Sequence, residues 1–67
     1  MRTNESLRRE MQRNGIFQYR VAALLGVSEG TLIRWLRVPL GEDRETAIRL
    51  AIAEAVREKE KEAMNNA

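Results

Sequence analysis

The sequence predicts an all-α fold: a small four-helix domain with a tight turn between its two central helices and a long C-terminal helix. Three observations predict it. Apolar residues recur at i, i+3 and i+4 in four separate stretches, and no stretch alternates apolar with polar residues as a half-buried strand would. Gly15, Gly26 and Pro39 punctuate those stretches. The chain has 67 residues, room for one core and no second domain. A chain this short buries only about 60% of its unfolded surface, so each apolar side chain in the pattern counts.

The first helix is expected over residues 4–14. Thr3 or Asn4 is placed to cap it, Leu7 and Met11 form an i, i+4 apolar pair, and Gly15 supplies the stop. The second is expected over 18–25, burying Val21, Ala22, Leu24 and Leu25 and ending at Gly26. The third begins after Ser28, a favourable N-cap, and runs over 29–38, where Pro39 disfavours continuation. The fourth is expected over 42–63, with Glu42, Asp43 and Glu45 placed well against its N-terminal dipole. Ile48, Ala51, Ile52 and Ala55 form its buried stripe. Beyond Val56 that face carries Lys59 and Glu62, so the last turns are expected to project and fray, and residues 64–67 read as a loose tail.

Composition narrows the function classes. There is no cysteine and no histidine, which excludes disulfides and Cys or His metal sites and suits a reducing compartment. No apolar run approaches the roughly 18 residues of a membrane span, and MRTNESLRRE lacks the apolar segment of a signal peptide. A cytoplasmic protein is expected, with no membrane partner. The net charge of +2 is unevenly spread: residues 1–40 hold seven arginines against three glutamates, while residues 41–67 hold five basic against seven acidic side chains. Positive charge in the N-terminal part suits a polyanionic partner. Nothing suggests an enzyme. There is no His or Cys and no phosphate-cradling glycine loop, and the carboxylates fall mainly on the fourth helix. No catalytic residue, metal, cofactor or small-molecule substrate is expected.

The stretch QYRVAALLGVSEGTLIRWL, residues 18–36, meets the requirements of two helices crossing steeply through a short turn. Ala22 is small where the second helix must approach. Gly26, four residues later, permits a positive φ. Val27 plugs the turn, and Leu32, Trp35 and Leu36 give the second helix its inner stripe. With Ile16, Gln18, Ser28, Thr31 and Arg34 in their places, the stretch resembles the helix-turn-helix of the lambda repressor and Cro (Xre-like) family of DNA-binding proteins. The resemblance covers about a third of the chain closely.

That resemblance implies a recognition helix over residues 29–37, lying in the major groove with its N-terminal residues at base edges. Ser28, Glu29, Gly30, Ile33 and Arg34 become the base-facing set. Arg34 is the chief reader, because a guanidinium makes a bidentate contact to guanine, and Ile33 would pack on a thymine methyl. Gln18, Tyr19, Arg20, Thr31 and Arg37 become phosphate contacts, which position without specifying sequence. Simpler roles stand beside these. Ser28 caps the helix in any case, Glu29 serves the dipole as well as it would read cytosine, and Trp35 is a core wedge rather than a stacking platform. Arg8, Arg9 and Arg13 fit a solvated first helix.

Three departures from the family stand out. Phe17 replaces a usual Thr or Ser cap, costing about 1 kcal/mol unless the ring packs on the next turn or on a partner. Gly30 offers no side chain where a long one is common and weakens its helix by up to about 1 kcal/mol, though it permits close backbone approach. A single long helix follows Pro39 in place of further short ones. On that helix Leu50, Ala53 and Val56 extend the apolar surface and are candidates for a homodimer, in which two copies would read half-sites one helical turn apart. The expected function is sequence-specific binding of double-stranded DNA by a small transcriptional regulator of phage-repressor type, in the cytoplasm and associated with the nucleoid. An excisionase-like architectural DNA binder would use the same motif. A protein–protein interaction module built on the same scaffold, with Phe17, Ile33 and Leu50 as its contact surface, is the contrasting reading.

Overall fold

The computed structural model describes residues 4–65. Four helices follow one another, α1 (Glu5–Arg13), α2 (Gln18–Leu25), α3 (Glu29–Leu36) and α4 (Glu42–Asn65), and no strand occurs among the described residues. The all-α, four-helix expectation holds. α4, with 24 residues, is about 36 Å long at 1.5 Å per residue. α2 makes the most extensive packing with α4, α1 packs on it to a lesser extent, and α3 packs chiefly on α2.

The core is built from the predicted stripes. Leu7 and Met11 of α1, Val21 and Ala22 of α2, Leu32 and Leu36 of α3, and Ile48, Ala51, Ile52 and Ala55 of α4 form one buried cluster closed by Ile16. No polar or charged residue is buried among the described residues. Leu25, Val27, Trp35, Leu40 and Val56 pack around its margin, half-buried. Leu24 is a correction, because it is 38% exposed rather than buried. The reason is helical geometry: Val21, Ala22 and Leu25 share one face, and at 100° per residue Leu24 lies roughly 100° away from it.

Both glycine turns take the predicted conformation. Gly15 has φ 66 and Gly26 φ 75. After α1, Ile16 N–H bonds Met11 O at 2.8 Å and Gly15 N–H bonds Gln12 O at 3.1 Å. After α2, Val27 N–H bonds Ala22 O at 3.0 Å and Gly26 N–H bonds Ala23 O at 3.1 Å. Each pair is a Schellman arrangement, which consumes carbonyls that a helix end leaves orphaned.

α3 ends differently, and the difference explains two residues that the sequence reading assigned otherwise. It stops at Leu36, two residues before the expected limit, in a tightened turn with no glycine. The carbonyl of Leu36, and that of Val38 just beyond the helix, are met from the start of α1: Asn4 Nδ2 donates to Leu36 O (3.1 Å) and Val38 O (2.8 Å), and Arg8 Nη2 donates to Leu36 O (3.0 Å). Asn4 therefore does not cap α1. It sits at φ 60 with no side-chain cap bond to its own helix, a left-handed conformation that asparagine tolerates better than most residues. Thr3, the other candidate cap, lies outside the described residues. Each of these long-range bonds is worth about 1 kcal/mol, more for the charged donor.

The second half of α4 also departs from expectation. The helix continues to Asn65, through part of the predicted tail, and residues 66–67 lie outside the described range. Its polar turns are tied down rather than loose. Lys59 Nζ donates to Asn14 O at 2.9 Å and Gly15 O at 3.3 Å, and Arg20 of α2 pairs with Glu58 at 2.6 Å and Glu62 at 3.6 Å. A Cβ at Gly15 would meet only the movable end of the Lys59 side chain, so it is the positive φ that calls for glycine there. Arg49 ties α4 to α1 through Glu10 and Ser6.

Candidate nucleic-acid interface

The start of α3 is fixed by its cap. Ser28 has extended backbone (φ −74, ψ 156), its Oγ accepts from Thr31 N–H at 3.1 Å, and it donates to the Thr31 hydroxyl at 2.9 Å. With Leu32 and Leu36 sealed in the core, helical periodicity turns the opposite side outward. Ser28, Glu29, Gly30, Arg34 and Arg37 are exposed, whereas Ile33 and Thr31 are half-buried. Ile33 thus presents an edge rather than a whole side chain, and the Thr31 hydroxyl already has a partner inside the turn. Trp35 lies half-buried at the seam with α4, where the Arg44 guanidinium sits 4.1 Å from the ring centroid. Its role is packing, as its place in the stripe implied.

The arginines divide by what the fold does with them. Arg8 meets the α3 carbonyls, Arg9 pairs with Glu5, Arg20 with Glu58, Arg44 with Trp35, Arg49 with Glu45 and Glu10, and Arg57 with Glu54. Among the described residues, Arg13, Arg34 and Arg37 alone of the arginines engage no partner. Two of those three lie on the outward side of α3, one helical turn apart. Arg20, expected among the phosphate contacts, is engaged within the fold: its hydrogen bond to Glu58 and that carboxylate's charge raise its pKa. Sequence alone could not show this, since its partners lie 38 and 42 positions away.

α2 begins without a side-chain cap. Phe17 occupies the N-cap position with φ −80 and ψ 150, nearly the backbone conformation of Ser28, and is 67% exposed. Its ring stacks on that of Tyr19, centroids 5.7 Å apart and planes 12° from parallel, and Tyr19 is 57% exposed. A shallow groove runs beside them, shared by Arg8 and Gln12 of α1, Gln18 of α2 and Glu29 at the start of α3. The structure therefore brings Gln18 and Tyr19 close to the first turn of α3. Gly30 is not required by the fold, since an added Cβ would meet only Ser28 Oγ, at 4.0 Å.

On α4, Leu50 is 66% exposed, Ala53 is exposed and Val56 half-buried. Among the described residues no cluster of three or more Asp or Glu is arranged to hold a metal ion, and no helix is long and apolar enough to cross a membrane. The molecule is thus a small four-helix, all-α domain whose third helix presents an arginine-bearing outer face. No protein-family model, curated protein or solved structure matches the chain.

Proposed function

We propose that this chain is a sequence-specific double-stranded DNA-binding protein, a small transcriptional regulator of phage-repressor type that acts on the nucleoid in the cytoplasm. α3 lies in the major groove, with Arg34 reading guanine and Ser28, Glu29, Gly30 and Ile33 near the base edges. Gln18, Tyr19, Thr31 and Arg37 hold the phosphate backbone. The observation that carries the reading is the pair of unpartnered arginines on the outward side of α3 in a fold that engages most of its other arginines. Titrating a mixed-sequence duplex pool against salt tests it. With Arg34 on a base and Arg37 on the backbone, log K is expected to fall with log[salt] with a slope of about −1 per bound copy. A flat response would favour the protein-interaction reading, which the exposed Phe17 and Leu50 support.

A second copy pairing along α4 belongs to the same proposal, because one short helix reads few bases and two copies read two half-sites. The exposed Leu50 with Ala53 supports α4 as that surface. Sedimentation is expected to show a dimer for the wild type and a monomer for Leu50→Glu. A monomeric mass for both removes the second copy from the proposal.

A further inference from the structure

We infer that the Phe17–Tyr19 aromatic stack is a contact for the sugar–phosphate backbone of duplex DNA, flanking the groove entered by α3. The inference rests on the DNA-binding reading and extends it from the polar contact of Tyr19 to the apolar ring of Phe17 stacked on it. Its starting point is a residue the fold does not need. Phe17 buries little, caps nothing, and holds its backbone within a few degrees of the conformation in which Ser28 caps α3. A serine there would stabilise α2 without rearrangement. The first turn of α3 shows the same sacrifice at Gly30, where an added Cβ would make no contact closer than 4.0 Å, to Ser28 Oγ. Both positions lie at the two helix starts that border one groove, through Phe17 and Glu29. Local stability given up at neighbouring positions without structural return marks a surface used for something else.

The chemistry of the patch selects the occupant. Two parallel rings offer an apolar face of two side chains, too small for a stable protein interface by itself. Around them lie Gln12, Gln18 and Arg8 with Glu29 on one side, and Lys59 and Arg20 with Glu62 on the other. Arg8, Lys59 and Arg20 are engaged within the fold, and Arg13, four residues before Phe17, is the cation with no partner among the described residues. Deoxyribose presents apolar C–H surface between anionic phosphates, which matches rings set among donors and cations.

The test compares wild type, Phe17→Ser, Phe17→Tyr and Arg34→Ala for melting temperature, sedimentation and binding to a mixed-sequence duplex pool over a salt series. Phe17→Ser is expected to melt roughly 4–8 °C higher, as a gained cap in a domain of this size should. Its duplex affinity is expected to fall roughly tenfold, the effect of losing about half-burial of one aromatic side chain. The salt slope should stay unchanged, because no charge is removed, and Phe17→Tyr should bind as wild type does. Wild-type affinity in Phe17→Ser, alongside a lost guanine preference in Arg34→Ala, overturns this inference and leaves the DNA reading standing. A lower melting temperature in Phe17→Ser overturns the premise that the fold does not need the ring. A drop in sedimenting mass assigns the stack to a protein interface instead and overturns the inference. Absence of duplex binding by the wild type overturns both the inference and the function it rests on.

Discussion

Arg34→Ala is expected to leave the fold intact and to lower affinity for the preferred duplex by roughly 10- to 100-fold, the worth of one bidentate guanine contact. The side chain is exposed and has no partner among the described residues, so its loss removes nothing from the core or the ion-pair network. The form of the loss is as informative as its size. A base reader, when removed, relaxes preference at one position of the site and leaves the others alone. A phosphate contact, when removed, weakens all sequences alike and reduces the salt slope by about one. Arg37, one turn further on at the exposed end of α3, is expected to behave in the second way. Binding curves for the selected site and its single-base variants separate the two, and a uniform loss in Arg34→Ala would move it to the phosphate set.

Leu32→Ala is expected to bring the domain to the edge of unfolding. Leu32 is fully buried in the cluster shared with Val21, Leu36, Ile48 and Ile52, so truncation removes apolar contacts and opens a cavity. Such changes cost about 3–5 kcal/mol. A domain of 67 residues has a total stability of roughly 3–10 kcal/mol on the usual per-residue range. The substitution therefore consumes at least about 30% of the stability, and all of it at the lower limit. Leu50→Ala, at an exposed position on α4, is expected to change stability by no more than about 0.5 kcal/mol. Urea unfolding followed by helical circular dichroism checks both. A loss under about 1 kcal/mol in Leu32→Ala would show that α3 is not docked as described.

The elements legible in the sequence were those with a local cause. Gly15 and Gly26 end helices because a positive φ is needed within the same few residues, and Ser28 caps α3 because its oxygen and the Thr31 N–H are three positions apart. The stripes of α1, α3 and α4 follow from 3.6-residue periodicity, which also predicts which side of α3 faces outward. What remained hidden depends on how polar side chains meet across helices. Asn4 read as a cap for its own helix, yet it closes the end of α3 with Arg8. The only hint was that α3 has no glycine after Leu36 while α1 carries two donors four residues apart. Lys59 and Glu62 read as a frayed polar face, yet they anchor α4 to the α1–α2 turn and to Arg20. Periodicity states that a face is polar without stating what lies opposite it. For the candidate site, the outward set on α3 was legible, the withdrawal of Arg20 into an ion pair was not, and the stacking of Phe17 on Tyr19 emerges only from the structure.

The central claim is that the outer side of α3 reads DNA sequence. Selection from a random-sequence duplex pool at about 50 mM salt, where phosphate contacts are strong, tests it most directly. The account predicts an enriched motif containing a guanine whose enrichment disappears when the selection is repeated with Arg34→Ala. Failure of the folded wild-type protein to retain any duplex under those conditions would contradict it.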